Sequence, residues 1–180
     1  YRNKAKINDD IYVSDNLGDS FMGLSFLKNK IKLNNQLGKY FTNQYFMPNI
    51  QIELANQIKK FANTSIDISD GLLSDLEKLI NSQKLSYKLY LGQIPISNNL
   101  KKVIIRKKLS KIDYISKGDD YQILFTASKN KRRIIEKISF NYRIKLTRIG
   151  SIERFSKKSF IIDDEEKKIT LKNKGYIHKF

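Results

Sequence analysis

Residues 65–76 read Ser-Ile-Asp-Ile-Ser-Asp-Gly-Leu-Leu-Ser-Asp-Leu, and their hydrophobic period changes once. Ser65 to Ile68 alternates polar and apolar, the pattern of a short half-buried strand. From Asp70 onward, Leu72, Leu73, Leu76, Leu79 and Ile80 recur at helical spacing and form one apolar stripe. Ser69 or Asp70 stands where a helix N-cap belongs. Strand end, sharp turn and helix start therefore meet within a few residues.

That junction is chemically loaded. Asp67 and Asp70 can present two carboxylates to one cavity, and Ser69 between them offers a hydroxyl. The first amides of the helix are donors suited to a phosphate oxygen. Carboxylates beside phosphate donors make chemical sense when Mg²⁺ bridges them, because Mg²⁺ prefers one or two carboxylates plus phosphate and water. The competing reading makes Asp70 a plain helix cap and Asp67 a solvated strand-end residue.

Composition removes several function classes. A chain of 180 residues suits a single domain that needs no staples. It has no cysteine, which excludes disulfides and thiolate metal sites, and its one histidine, His178, leaves no material for a histidine-rich zinc site. No apolar run reaches the roughly 20 residues of a membrane helix, and the first residues lack the apolar core of a signal peptide. A cytoplasmic location without membrane attachment is the expectation. The formal charge of +17 raises the question of nucleic acid. Yet the lysines are spread along the chain among many Ile and Asn, as an A/T-rich coding sequence produces. The densest runs, at 129–133 and 106–108, are not interleaved with aromatics as a base-stacking platform would be. A solvated basic surface fits better than a nucleic-acid partner.

The rest of the chain supplies scaffold and three further segments of interest. Residues 11–14 read as a strand followed by a turn at Asp15-Asn16-Leu17-Gly18, with Ser20 placed to cap the next helix. Residues 31–47 read as partly helical with Gly38 a candidate break, and Pro48-Asn49 as the opening of a helix carrying Ile50, Ile52, Leu54, Ile58 and Phe61. Residues 87–91 form a strand signal, 100–109 a helix with a basic outer face, and 121–126 an apolar strand just after Gly118-Asp119-Asp120. A helix at 134–140, a strand at 144–149 and a hairpin closing on 169–171 complete the pattern, with Asp163-Asp164-Glu165-Glu166 in the hairpin loop. Without further information Gly118-Asp119-Asp120 is a solvated turn, Arg2 a terminal arginine and Tyr176 a tail tyrosine.

Five segments in order resemble one family. Asp67 to Leu76 is similar to the D-x-S-D-G-L-x-x-D-L signature of thiamine-monophosphate kinases, in the superfamily of aminoimidazole ribonucleotide synthetase. Asp10-Ile11-Tyr12-Val13-Ser14 with Leu17-Gly18-Asp19-Ser20 resembles that family's G-D-x-I-Y-V-[ST]-G-x-x-G-D-S segment. Gly118-Asp119-Asp120-Tyr121 resembles its G-G-E-D-Y segment, and Ile149-Gly150 and the closing residues 174–180 resemble its I-G and G-[YFW]-x-H-F endings. Departures fall at Asp15 for glycine, Ile50 and Gln51 for proline and arginine, and Gln122 for glutamate. Asp15 keeps a residue type that tolerates left-handed backbone.

The resemblance implies an α+β fold, a mixed sheet with packed helices, like the C-terminal domain of that superfamily. It covers residues 1–180 as one C-terminal domain, with nothing matching the family's N-terminal ATP- and Mg²⁺-binding domain. It implies ATP-dependent phosphorylation of thiamine monophosphate to thiamine diphosphate, with Mg²⁺ and no general base among these residues. Asp67 and Asp70 would hold metal, Arg2 and Ser69 would bind ATP, and Asp119 and Tyr176 would bind thiamine monophosphate. For Tyr176, an aromatic face beside a cationic ring has a basis in cation–π attraction. It further implies a homodimer formed through the missing domain, and an isolated fragment without activity. The alternatives are an ATP-dependent ligase of the same superfamily, a decayed kinase, and a non-enzymatic basic module binding nucleic acid.

Overall fold

The computed structural model describes residues 2–81, 83–156 and 159–169. Seven strands form a single sheet: β1 (Asp10–Ser14), β2 (Thr64–Asp67), β3 (Leu85–Tyr90), β4 (Ile123–Ala127), β5 (Leu146–Arg154), β6 (Phe160–Ile162) and β7 (Lys168–Ile169). Their order across the sheet is β2-β4-β1-β5-β3-β6-β7. The β3–β6 pair is parallel, whereas β1–β4, β1–β5, β2–β4, β3–β5 and β6–β7 are antiparallel. Among the described residues seven α-helices accompany them: α1 (Asp19–Leu27), α2 (Asn35–Phe46), α3 (Ile52–Ile58), α4 (Leu72–Leu79), α5 (Asn98–Lys107), α6 (Lys111–Ile115) and α7 (Arg132–Tyr142). The expected α+β class, a mixed sheet with packed helices, is the observed one.

Alternation along the inner strands decides which helix lies on which face. Ile11, Val13 and Leu124 point into a core shared with Leu72, Leu73, Leu76 and Leu79 of α4. Tyr12 and Phe125, one residue out of phase, point the other way into a cluster with Leu54 and Ile58 of α3 and Ile135 of α7. Both faces of β1 are covered, so all five of its residues are buried. The rings of Tyr12 and Phe125 stack at 5.2 Å between centroids. The four α4 leucines are fully buried. Each contributes about 1.5–3 kcal/mol as an upper estimate, enough to fix α4 on the sheet.

A third cluster joins α1, α2, α5 and α6 through Met22, Phe41, Leu100, Val103 and Tyr114. Here the structure corrects two expectations. Gly38 does not break a helix; it lies within α2, and the Phe26 ring occupies the space where its Cβ would stand. Pro48 does not open α3 directly, because the helix begins only at Ile52 after a stretch with Gln51 at φ −95°, ψ 62°. Ile50 and Ile52 stay exposed, whereas Leu54 and Ile58 are buried in a core and Phe61 packs against it.

Candidate functional site

The β2–α4 junction is built as the sequence suggests, but its capping is not. β2 is an edge strand whose Asp67 pairs with Ile123 and remains exposed. Neither Ser69 nor Asp70 caps α4. Gly71 holds the N-cap position at φ 112°, ψ 151°, a conformation reserved for glycine, and a Cβ there would meet the Ser116 carbonyl oxygen at 2.3 Å. The capping acceptor comes from inside the helix. Asp75 is fully buried, and its Oδ2 accepts from the backbone amides of Ser69, Asp70 and Gly71 at 2.9, 2.8 and 3.1 Å. Its other oxygen accepts from the Lys78 ammonium at 2.9 Å, and the same ammonium pairs with Asp70. Burial works against that ammonium, but its hydrogen bonds to Asp70 and Asp75 outweigh the loss of water and raise the Lys78 pKa. The amides of residues 69–71, just ahead of the first turn of α4, are thus occupied by the chain itself.

The second candidate segment lies directly alongside. The Asp119 amide donates to the Ser69 carbonyl at 3.0 Å, and the Tyr121 amide donates to the Ile68 carbonyl at 2.9 Å. These bonds hold Asp119 and Tyr121 in left-handed backbone, at φ 69° and 51°. Aspartate tolerates that region, but for tyrosine it stores strain of about 1–3 kcal/mol. Burial raises the Asp119 pKa, the nearby Asp70 carboxylate raises it further, and Lys28 opposes both. Two carboxylates from distant parts of the chain therefore share one electrostatic environment. Beside them a cavity of about 390 Å³ is lined by Tyr45, Phe46, Pro48, Ile50, Tyr121 and Asp119.

A neighbouring cavity of about 260 Å³ meets Asp15, Asp19, Ser20, Tyr40 and Asp120. Its carboxylates are engaged in the fold. Asp19 accepts from Ser97 Oγ at 2.7 Å and from the Tyr40 hydroxyl at 2.8 Å. Asp120 accepts from the Gly18 amide with both oxygens, at 3.0 and 2.9 Å, and burial drives its pKa well above the usual carboxylate value. Ser20 is not the cap of α1: Gly18 occupies that position at φ 89°, and the Ser20 hydroxyl donates to the Gln44 carbonyl instead. Asp15 does adopt the left-handed backbone its type permits, at φ 45°.

Of the site residues drawn from the sequence, Ser69, Asp70 and Asp119 are brought together, with Asp67 at the adjoining strand end. Arg2 is not brought to them. It is exposed, and the next residue, Asn3, donates its amide to the carbonyl of Leu79 at the far end of α4, about 12 Å along the helix from the turn. Tyr176 and His178 lie outside the described residues. Asp75 and Asp120 were overlooked because charged residues are ordinarily assigned to solvent. Position 75 nevertheless falls three after Leu72 and four before Leu79, on the buried stripe, which is the signal that could have found it.

The donor set suits a hard cation. It offers carboxylates and a hydroxyl only, and among the described residues no three His, Cys, Asp or Glu side chains gather into a complete metal cage. A pair of carboxylates leaving coordination positions to phosphate and water is the manner in which Mg²⁺ is usually held. Among the described residues no helix is long and apolar enough to cross a membrane.

The chain is similar to known proteins in sequence and in fold. No family model matches the chain. A thiamine-monophosphate kinase of Buchnera aphidicola subsp. Acyrthosiphon pisum is 34% identical over 182 residues, which is 98% of this chain and 54% of that protein. The chain spans about half the length of the curated relatives it matches. The crystal structure of thiamine-monophosphate kinase from Stenotrophomonas maltophilia K279a superposes with a TM-score of 0.77 at 26% identity, covering 92% of this chain and 52% of that one. A structure described as AaThiL complexed with AMPPCP and TMP gives a TM-score of 0.78 at 29% identity, covering 99% of this chain and 53% of that one.

Proposed function

Since sequence and fold both align this chain with the C-terminal part of thiamine-monophosphate kinases, we propose that it supplies part of the active site of an ATP-dependent kinase that phosphorylates thiamine monophosphate. The observation that carries the proposal is the Asp119–Ser69 backbone bond. It joins the two motif segments so that the Asp70 carboxylate acts on Asp119, which itself lines an aromatic cavity. A relative bound to an ATP analogue and to thiamine monophosphate supports both substrates.

The roles follow from chemistry. Asp67 and Asp70 would hold Mg²⁺, which would supply charge neutralisation at the ATP phosphates. The Ser69 hydroxyl contacts ATP. Arg2, at the opposite end of α4, is assigned to the ATP phosphates by the family resemblance alone. Asp119 and the neighbouring aromatic cavity receive the cationic heterocycle of thiamine monophosphate, and Tyr176 adds an aromatic face. An oxygen of the acceptor phosphate attacks the γ-phosphorus, the new O–P bond forms as the bond to the β-bridging oxygen breaks, and ADP leaves. The attacking oxygen is already anionic, so positioning replaces a general base. The chain acts as a C-terminal domain beside an N-terminal ATP- and Mg²⁺-binding domain that also forms a homodimer, in the cytoplasm. Residues 1–180 alone are then inactive.

The test uses the full reading frame with ATP, Mg²⁺ and thiamine monophosphate, following thiamine diphosphate, with Asp67→Asn as control. Product that disappears in the variant supports the kinase and the role of Asp67. A folded, ATP-binding protein that makes no thiamine diphosphate overturns the proposal.

A further inference from the structure

We propose that Asp75 is a positioning residue for the turn that carries the Asp70 metal carboxylate, and that Lys78 is the counter-ion that accompanies the buried Asp75 side chain in the core. The inference rests on the reading of Asp70 as a metal carboxylate. Three consecutive amides converging on one oxygen make a backbone nest, a shape that elsewhere cradles phosphate or other anions. Here the nest holds the chain's own Asp75 Oδ2, at 2.8–3.1 Å from all three nitrogens. The turn is therefore set before any ligand arrives. It is braced from the opposite side by the Asp119 amide on the Ser69 carbonyl, at 3.0 Å.

Lys78 extends the brace to the side chain. Its ammonium, on a helix turn with one side open to solvent, bonds Asp75 Oδ1 and Asp70 together. Asp75 thus fixes the backbone that carries Asp70, and Lys78 fixes the Asp70 carboxylate. An asparagine at 75 cannot reproduce this arrangement. Its amide group turns two donors either toward the three backbone N–H groups or toward the ammonium, and each choice sets donor against donor. Glutamate adds a methylene at a position with no exposed surface.

The prediction concerns geometry rather than folding, so it has a readout apart from activity. In the full-length protein, Mn²⁺ binding is titrated by paramagnetic resonance for wild type, Asp70→Asn and Asp75→Asn, while hydrogen exchange is followed over residues 69–71. The site lost in Asp70→Asn defines the relevant ion. Asp75→Asn is expected to weaken that same site about 10-fold or more, the scale for losing a residue that orients a ligand. Exchange at 69–71 is expected to be slow in metal-free wild type and at least about 10-fold faster in Asp75→Asn. A folded Asp75→Asn protein with the wild-type Mn²⁺ isotherm overturns the inference. Where Asp75→Asn does not fold, the wild type decides: amides at 69–71 that exchange freely until Mn²⁺ is added also overturn it. If Asp70→Asn loses no Mn²⁺ site, the metal role of Asp70 fails, and the exchange comparison still judges Asp75.

Discussion

Gly118 and Ser69 meet at a distance that only glycine allows: a Cβ on Gly118 would lie 1.7 Å from the Ser69 carbonyl oxygen. The same oxygen accepts the Asp119 amide, so the two motif segments touch by backbone alone. Gly118→Ala is expected to force them apart, destabilising the protein by about 1–3 kcal/mol and, in the full-length kinase proposed above, raising KM for ATP and thiamine monophosphate together. Gly92→Ala is the comparison. Its Cβ meets only the side chain of Asp164 in an outer loop, which can swing away, so the cost stays within about 0.5 kcal/mol. Urea unfolding of both variants checks the contrast.

Ser69 separates fold from function. Its contacts to Asp75 and Asp119 run through its backbone, so Ser69→Ala is expected to leave stability within about 0.5 kcal/mol of wild type. If its hydroxyl contacts ATP as proposed, KM for ATP rises several-fold while the thermal midpoint holds. An unchanged KM removes Ser69 from the ATP site.

Asp120 predicts a pH dependence with a definite sign. Burial raises its folded pKa well above the unfolded value. The folded state therefore prefers the protonated acid, and that preference stabilises fully below the unfolded pKa and is lost as pH climbs through the folded pKa. Asparagine cannot ionise. The melting temperature of Asp120→Asn minus that of wild type is expected to increase as pH rises above the unfolded pKa and to level off once pH passes the folded pKa. A difference that is flat with pH contradicts the assignment.

Phe125 tests the face of the sheet away from α4. It is fully buried, stacked on Tyr12 and met edge-on by Phe61 at 6.2 Å. Phe125→Ala is expected to cost about 3–5 kcal/mol, a large part of the stability of a domain this size. Denaturant titration measures it directly.

Much of this was legible in the chain. The alternation at 65–68 and the stripe of Leu72, Leu73, Leu76 and Leu79 located β2 and α4 within a residue or two, because period-2 and period-3.6 burial act locally. The pairing of 68–69 with 119–121 was not legible, since the two stretches lie about fifty residues apart and only the folded sheet joins them. Asp75 and Asp120 escaped for a different reason. Their charge argued for solvent, whereas the partners that hold them inside include backbone amides, which carry no signature in side-chain sequence. The caps at Ser20 and Asp70 failed because glycines at positive φ took the cap positions.

The order of strands across the sheet has a consequence for how the chain is made. β1 pairs with β4 and β5, β2 with β4, and β3 with β5 and β6. No described strand from the first 122 residues pairs with another from that stretch. A nascent chain therefore emerges with three strands lacking partners, and the sheet waits for residues 123–162 before it can zip. Such non-local closure is slow and exposes apolar strands meanwhile. Residues 123–162 thus carry every partner that the three earlier strands of this sheet require.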